Sequence, residues 1–271
     1  MRDQHIQSGS RQIAARFYGH PERDLILIGV IGSKSRTAIT WMTHYFIENT
    51  TQPVGLLNRA IHFTGHRDPR APEMVAPHPT DLHQALEAMR SARCRIGILE
   101  LTTAGVQRAL ADGLGFHVLL FHGHDPDPRN YNASSEALQA KFKLCSRTGE
   151  KRADCIVVNR ESANARALLR DLRDKTETLT YGTTPDAQIR ALDVRWRRKD
   201  LRCRLEWPGG RCEMSLPFKT QERLSEALAA LALGFAMGQD LHLLASRAPG
   251  LIEYATLPHF RRDRQMELSL S

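Results

Sequence analysis

The chain reads as an α/β protein: a mostly parallel sheet flanked by helices, with a small antiparallel β subdomain over residues 189–217. Continuous apolar runs recur along the first two thirds, as expected for strands buried on both faces. Amphipathic helical patterns separate them, the alternation that builds a parallel sheet covered on two sides. Beyond residue 189 the period changes to strict alternation, which marks half-buried antiparallel strands.

The first strand runs from Leu25 into Gly29 and Gly32, and a helix is expected over Thr37–Ile47. Pro53–Leu57 is a short apolar stretch. Gly65–Pro79, rich in Pro, His and Arg, has no sustained period and reads as a loop. Asp81–Met89 places Leu82, Ala85, Leu86 and Met89 on one helical face. Further strands are predicted at Ile96–Leu99, ending at Glu100, at Val118–Phe121 and at Cys155–Val158. Helices at Thr103–Ala111, Ser134–Leu144 and Ser162–Leu172 lie between and after them. In the antiparallel part, Leu201, Cys203, Leu205 and Trp207 alternate with Arg202, Arg204 and Glu206. Pro208-Gly209-Gly210 turns the chain, and Cys212, Met214 and Leu216 continue the apolar face beside Ile189–Trp196. A last helix, Glu222–Met237, carries Leu224, Leu228, Leu231 and Phe235 on one stripe. There is no internal repeat.

At 271 residues and 41% hydrophobic content the chain can bury one substantial core. No apolar run reaches membrane-spanning length and the start carries no secretory signal, so a cytoplasmic protein is expected. Cys94, Cys145, Cys155, Cys203 and Cys212 are scattered without C-x-x-C spacing and read as reduced, mostly buried thiols. The formal charge of +8 favours acidic partners of any kind. Arg190, Arg195, Arg197, Arg198, Lys199, Arg202, Arg204 and Arg211 should line the wet side of the small sheet. No aromatic ladder is interleaved with them, so a solvated face or protein contact is favoured over nucleic acid. His117, His122, His124, Asp125 and Asp127 could form a divalent-metal site, but a polar loop at the sheet edge is the favoured reading.

The segment Gly29-Val-Ile-Gly32-Ser33-Lys34-Ser35-Arg36-Thr37 has the outline of a phosphate-binding loop with altered chemistry. Such loops use inward backbone N–H groups, a helix N-terminus and a lysine that reaches the terminal phosphates. The expected Gly-Lys-Ser/Thr ending reads Ser35-Arg36-Thr37 here. Ser35 adds a Cβ where glycine allows close approach. Arg36 keeps the charge in a larger planar fork, and Thr37 still offers a hydroxyl. A plain βα turn and a loop that still holds nucleotide are both open.

The order of these features resembles the central, ATP-binding domain of the Mur ligases, from about Leu25 to Glu253. The family loop is similar to Gly-x-x-Gly-x-x-Gly-Lys-Thr-Thr. Its Thr-Thr-Pro stands here as Val75-Ala76-Pro77. Its Glu-Val-Ser-Ser-His stands as Glu100-Leu101-Thr102-Thr103-Ala104, which keeps the metal-associated glutamate position and loses the histidine. In the segment from His122 to Asn132, Asp127 and Tyr131 match. The lysine that family members carbamylate to help hold magnesium falls at Lys141. Asn159 fits the end of a nucleotide-side strand, and Thr180-Tyr181-Gly182 matches the Thr-Tyr-Gly before the small sheet. The family's Gly-x-Phe-Asn-x-x-Asn has become Thr220-Gln221-Glu222-Arg223-Leu224-Ser225-Glu226, without either asparagine. Pro249-Gly250-Leu251-Ile252-Glu253 is similar to Pro-Gly-Arg-x-Glu with its arginine missing.

The resemblance implies an N-terminal extension over 1–24, a central-like domain over 25–253 and a tail over 254–271. The family's UDP-sugar-binding and amino-acid-binding domains are expected to be absent. With lysine, asparagine, histidine and arginine positions altered, the expectation is a non-catalytic Mur ligase-like protein. It would bind a protein partner in a cell-envelope or assembly pathway, with no catalytic residue and no cofactor, and a homodimer is plausible. The alternative is a reduced ATP-dependent amide ligase or ATPase subunit completed by a partner chain and using Mg-ATP. Glu100, Asp127, Lys141 and Asn159 are then its residual metal or nucleotide positions. Nucleic-acid binding through the basic small sheet is a third reading.

Overall fold

Strand β1, Ile26–Gly32, lies inside a ten-stranded sheet and is buried over all but its first residue. The computed structural model describes residues 2–32, 35–48, 53–65, 78–107, 110–123, 136–146 and 152–251. The strands of this sheet are β1, β2 (Val54–Leu57), β3 (His62–Phe63), β4 (Ile96–Leu101), β5 (Phe116–His122), β6 (Cys155–Asn159), β7 (Glu177–Gly182), β8 (Ile189–Trp196), β9 (Leu201–Trp207) and β10 (Gly210–Leu216). Their spatial order is β10-β9-β8-β7-β6-β5-β1-β4-β2-β3. Strands β2, β4, β1, β5, β6 and β7 pair in parallel.

Side chains alternate between the two faces, and each face has its own core. Ile28, Val30, Val118, Leu120, Val157 and Tyr181 point to one side, against α2 (Arg36–Glu48), α7 (Gln221–Ala236) and α8 (Leu241–Arg247). Leu27, Ile31, Leu119, Phe121, Ile156 and Val158 point to the other. There they meet α3 (Pro79–Ser91), α4 (Thr103–Gln107), α5 (Glu136–Cys145) and α6 (Ala163–Leu172). Helix α2 is buried nearly all round because α7 covers its outer side. Its His44 is therefore deeply buried; Nε2 meets the Val54 carbonyl at 3.1 Å, and burial holds the imidazole's pKa below its usual value.

The antiparallel part is present and continues the main sheet. Strand β8 joins β7 in parallel at Tyr181–Ile189 and Gly182–Arg190, and β9 and β10 follow as antiparallel neighbours. Leu201, Cys203, Leu205 and Trp207 face inward as the alternation predicts. On the outer side, Arg190 pairs with Glu206 at 2.6 Å, Arg204 with Asp193 at 2.9 Å and Arg202 with Asp200 at 3.1 Å. Arg190, Arg202 and Arg204 of this block are thus met by carboxylates on the same surface.

Four elements were not anticipated, the first of them β7, Glu177–Gly182, where the sequence showed only the Thr180-Tyr181-Gly182 match. Helix α1, Arg2–Phe17, packs on α3 within the stretch read as an extension. Strand β3 is only two residues long, and α8 follows α7 after a short turn. The loop predicted over Gly65–Pro79 falls mostly outside the described residues, and His78 caps α3 at its far end. All five cysteines are free thiols. Among the described residues, no helix is long and apolar enough to cross a membrane.

Candidate functional site

The chain reverses its direction of winding at β1. It leaves β1 through α2 for β2, returns to β4 beside β1, and then crosses to β5 on the other side. In open α/β sheets, the crevice beyond the strand C-termini at such a switch point is where ligands bind. Register decides what lines it. Glu100 of β4 lies opposite Val30, and His122 of β5 lies opposite Gly32. Two residues beyond Ile98, Glu100 shares its parity and points to the α2 side, toward the first turn of that helix.

Glu100 is the hub. Its side chain is 2% exposed, and three donors reach it. Thr37 Oγ1 donates to Oε2 at 2.9 Å, the Arg59 backbone N–H donates to Oε2 at 3.0 Å, and Arg36 Nε donates to Oε1 at 3.3 Å. Asn58 shapes the turn that delivers the Arg59 N–H: Oδ1 accepts from Ala60 N at 2.9 Å and Ile61 N at 2.8 Å, and Nδ2 donates to Thr40 Oγ1 at 3.2 Å. A buried carboxylate is tolerable only with partners of this kind.

Two cations converge beside it. Arg36, 14% exposed, donates from Nη1 to the Gly32 carbonyl at 2.5 Å, and Lys141 of α5 donates from Nζ to the same oxygen at 3.4 Å. Burial, opposed by Glu100 and reinforced by Arg59, draws the Arg36 pKa down. Burial and the adjacent Arg36 likewise hold the Lys141 pKa below the usual lysine range. Because both nitrogens touch one oxygen, they lie within about 6 Å of each other, which at an effective dielectric of about 20 is roughly 3 kcal/mol of repulsion. Among the described residues the Gly32 carbonyl is the only hydrogen-bond partner of Lys141. Among the described residues Glu100 is the carboxylate that pairs with Arg36, and the adjacent Lys141 has none, at the N-terminus of a helix whose dipole also favours an anion.

A second polar cluster fastens α7 to the same edge. Ser35 Oγ donates to Glu222 Oε1 at 3.3 Å and stands beside Glu226. Arg223 Nη1 donates to Glu226 Oε2 at 2.8 Å. Burial pushes the Glu226 carboxyl up to about 6, against the pull of Arg223 and Ser35. Asn159 Oδ1 accepts from Glu161 N at 3.0 Å, and its Nδ2 reaches Ser225 Oγ at 3.5 Å. His122 Nδ1 and Tyr181 Oη are 2.5 Å apart; burial first, then Glu161 and Glu226, raises the tyrosine's pKa well above its ordinary value.

Of the residues singled out in the sequence, Gly32, Arg36, Thr37, Glu100 and Lys141 come together. Ser35 and Asn159 belong to the α7 cluster. Gly29 lies within β1, where a Cβ would stand 2.5 Å from Leu119 Cδ2, so its smallness serves the core. Ser33, Lys34 and Asp127 lie outside the described residues, as do His124 and Asp125. His117 and His122 stand at opposite ends of β5, and His117 Nδ1 accepts from Leu27 N at 3.2 Å. Among the described residues no cluster of His, Cys, Asp and Glu could hold a metal ion. Asn58, Arg59, Glu222 and Glu226 were missed. The polar pair Asn58-Arg59 directly after the apolar run of β2 was the available signal.

Magnesium takes about six oxygen ligands in near-octahedral geometry. Thr37 Oγ1 and Glu100 are donors of the right kind, but both Glu100 oxygens already accept hydrogen bonds, one of them from Arg36. As arranged, these residues do not fit the ion. An anion fits them well. Beside Glu100, a cavity of about 80 Å³ lined by Leu57, Leu82, Ala85, Leu99, Leu101 and Leu110 has room for a small apolar group.

A family model described as the Mur ligase middle domain matches residues 30–234. A UDP-N-acetylmuramoyl-L-alanyl-D-glutamate–2,6-diaminopimelate ligase of Thermosynechococcus vestitus is 26% identical over 261 residues, covering 93% of this chain and 51% of that protein. A UDP-N-acetylmuramyl-tripeptide synthetase of Roseiflexus sp. is 29% identical over 258 residues, covering 88% and 50%. The chain thus spans about half the length of these curated relatives. Among solved structures, a 2,6-diaminopimelate-adding ligase of the same name superposes with a TM-score of 0.70 at 19% identity, over 84% of this chain and 46% of that one. Folylpolyglutamate synthase of Mycobacterium tuberculosis, complexed with ADP and AMPPCP, superposes with a TM-score of 0.69 at 14% identity, over 89% and 62%.

These comparisons correct one expectation. A non-catalytic binding protein does not accord with relatives named as ligases and synthetases. The physical reason lies in the site: Arg36 supplies a cation where the lysine was lost, and Glu100 and Lys141 remain beside it. From its sequence match and its architecture, the chain belongs to the Mur ligase middle-domain family.

Proposed function

We propose that this chain is the nucleotide-handling part of an ATP-dependent amide-forming ligase, working on a peptidoglycan-type precursor in the cytoplasm. Other domains or a partner chain would supply the acceptor and amine sites. The observation that supports this reading is the convergence of Arg36, Thr37 and Lys141 on Glu100 and the Gly32 carbonyl at the switch point of the sheet. ATP supplies the phosphoryl group that turns a carboxylate into an acyl phosphate open to an amine.

The chain's own residues bind and orient. The N-terminus of α2 and the Arg36 fork receive phosphate oxygens, and Lys141 adds a second positive charge from the α5 side. Glu100 holds the guanidinium by its Nε edge and leaves the rest of the fork to turn from the Gly32 carbonyl toward phosphate. Preorganised cations of this kind stabilise charge that develops on the departing phosphate.

ADP release by the chain together with the domains or partner that complete it, given UDP-N-acetylmuramoyl-dipeptide and a candidate amino acid, tests the proposal. ADP together with a new amide supports it. ADP without amide indicates an ATPase subunit. Failure to bind ATP at millimolar concentration refutes both.

A further inference from the structure

We infer that the phosphate site of this chain carries its own counter-cations, so that nucleoside triphosphate binds without a divalent metal ion. The inference rests on the nucleotide reading above and names the charge chemistry by which that site works.

Three observations combine. First, Thr37 and the Arg59 N–H both bond Glu100 Oε2 and Arg36 bonds Oε1, so a divalent ion that used the remaining Oε1 lone pair would stand against the Arg36 guanidinium. Second, Arg36 cannot withdraw by losing its proton; a guanidinium stays charged in a protein. It is anchored at two points, Glu100 and the Gly32 carbonyl. A dication placed there would stand beside Arg36 and the adjacent Lys141, which share the Gly32 carbonyl. Third, Lys141 has no carboxylate among the described residues, and its ammonium shares an oxygen that Arg36 already holds. Two like charges on one carbonyl are a poor arrangement for the empty site and a good one for a polyphosphate, whose oxygens would give each cation its own acceptor. Arg36 suits this role better than lysine, since its planar fork can keep Glu100 on Nε and take phosphate on the terminal nitrogens.

The test is calorimetric titration of ATP into the purified chain, once in excess EDTA and once with magnesium in excess. The affinity in EDTA should be within tenfold of that with magnesium. Lys141→Gln should weaken binding in EDTA at least tenfold, with its circular dichroism melt checked against the wild type. Arg36→Lys, which restores the slimmer cation and frees one oxygen of Glu100, should make binding magnesium-dependent. Wild-type binding tenfold or more tighter with magnesium overturns the inference and leaves the nucleotide reading intact. Absence of binding in both buffers overturns the nucleotide reading and this inference with it. If Lys141→Gln does not fold, the wild-type comparison alone decides.

Discussion

Replacing Lys141 by methionine removes one of two like charges that share the Gly32 carbonyl, and keeps an apolar stem of similar length. With the two nitrogens within about 6 Å, the repulsion relieved is roughly 3 kcal/mol at an effective dielectric of about 20. The lysine is partly open to solvent, and screening there reduces the gain to about 1–2 kcal/mol. The lost hydrogen bond is long, 3.4 Å, and costs about 0.5 kcal/mol. Lys141→Met should therefore be more stable than the wild type by about 1 kcal/mol in urea denaturation near neutral pH, and should bind ATP more weakly. The pH dependence follows from the lowered lysine pKa. In the window between the folded pKa and the ordinary lysine value of 10.5, the unfolded chain binds more protons than the folded one, so wild-type stability rises with pH there. The advantage of the methionine variant should shrink as alkaline pH discharges Lys141. A variant less stable than the wild type, or a gap that widens with pH, refutes the electrostatic account of the site.

Three further outcomes follow from the same geometry. Glu100→Ala leaves the mostly buried Arg36 guanidinium without its carboxylate and should cost about 3 kcal/mol or more, measured by urea denaturation; a loss under 1 kcal/mol contradicts its role as hub. Glu226→Gln removes a carboxyl displaced from 4.5 to about 6 by burial, so at pH 7 it should gain up to about 2 kcal/mol. Because the folded protein holds that proton longer, wild-type stability falls as pH rises from 4.5 to about 6, and the gain from glutamine should vanish below 4.5 in denaturation curves taken at several pH values. Gly32→Ala places a Cβ 2.5 Å from the His122 carbonyl oxygen, a backbone atom that cannot rotate away. That variant should lose about 1–3 kcal/mol by thermal melt and abolish ATP binding.

The parallel strands were legible because burial on both faces leaves a continuous apolar signature, and Ile98-Leu99 or Val118–Phe121 can scarcely be anything else. Helix α1 was not, since the apolar residues that seat it, Ala14 and Ala15, are small and leave Ile13 and Phe17 exposed, so no clear stripe marks its buried face. The antiparallel strands were legible individually from their alternation. Their attachment was not, because β7 and β8 are joined through only two residue pairs and nothing local distinguishes a shared edge from a separate layer.

For the site, single positions misled where pairs would have informed. Arg36 in place of lysine reads as a loss until Glu100, 64 residues away, is seen holding its Nε. Ser35 in place of glycine reads as an obstruction, yet its hydroxyl is bonded to Glu222, 187 residues on, and that bond ties the loop to α7. Arg223 and Glu226 replace the family's asparagines and pair with each other one helical turn apart. These four departures from the family pattern are therefore partnered, and a chain that had merely shed its function would have no reason to keep a buried carboxylate held by three donors. A buried ion pair contributes little to stability compared with apolar residues of the same volume. A site that retains Glu100, Arg36 and a Lys141 with no carboxylate among the described residues, in place of aliphatic side chains, is held at a cost in stability, which the nucleotide binding proposed above would offset.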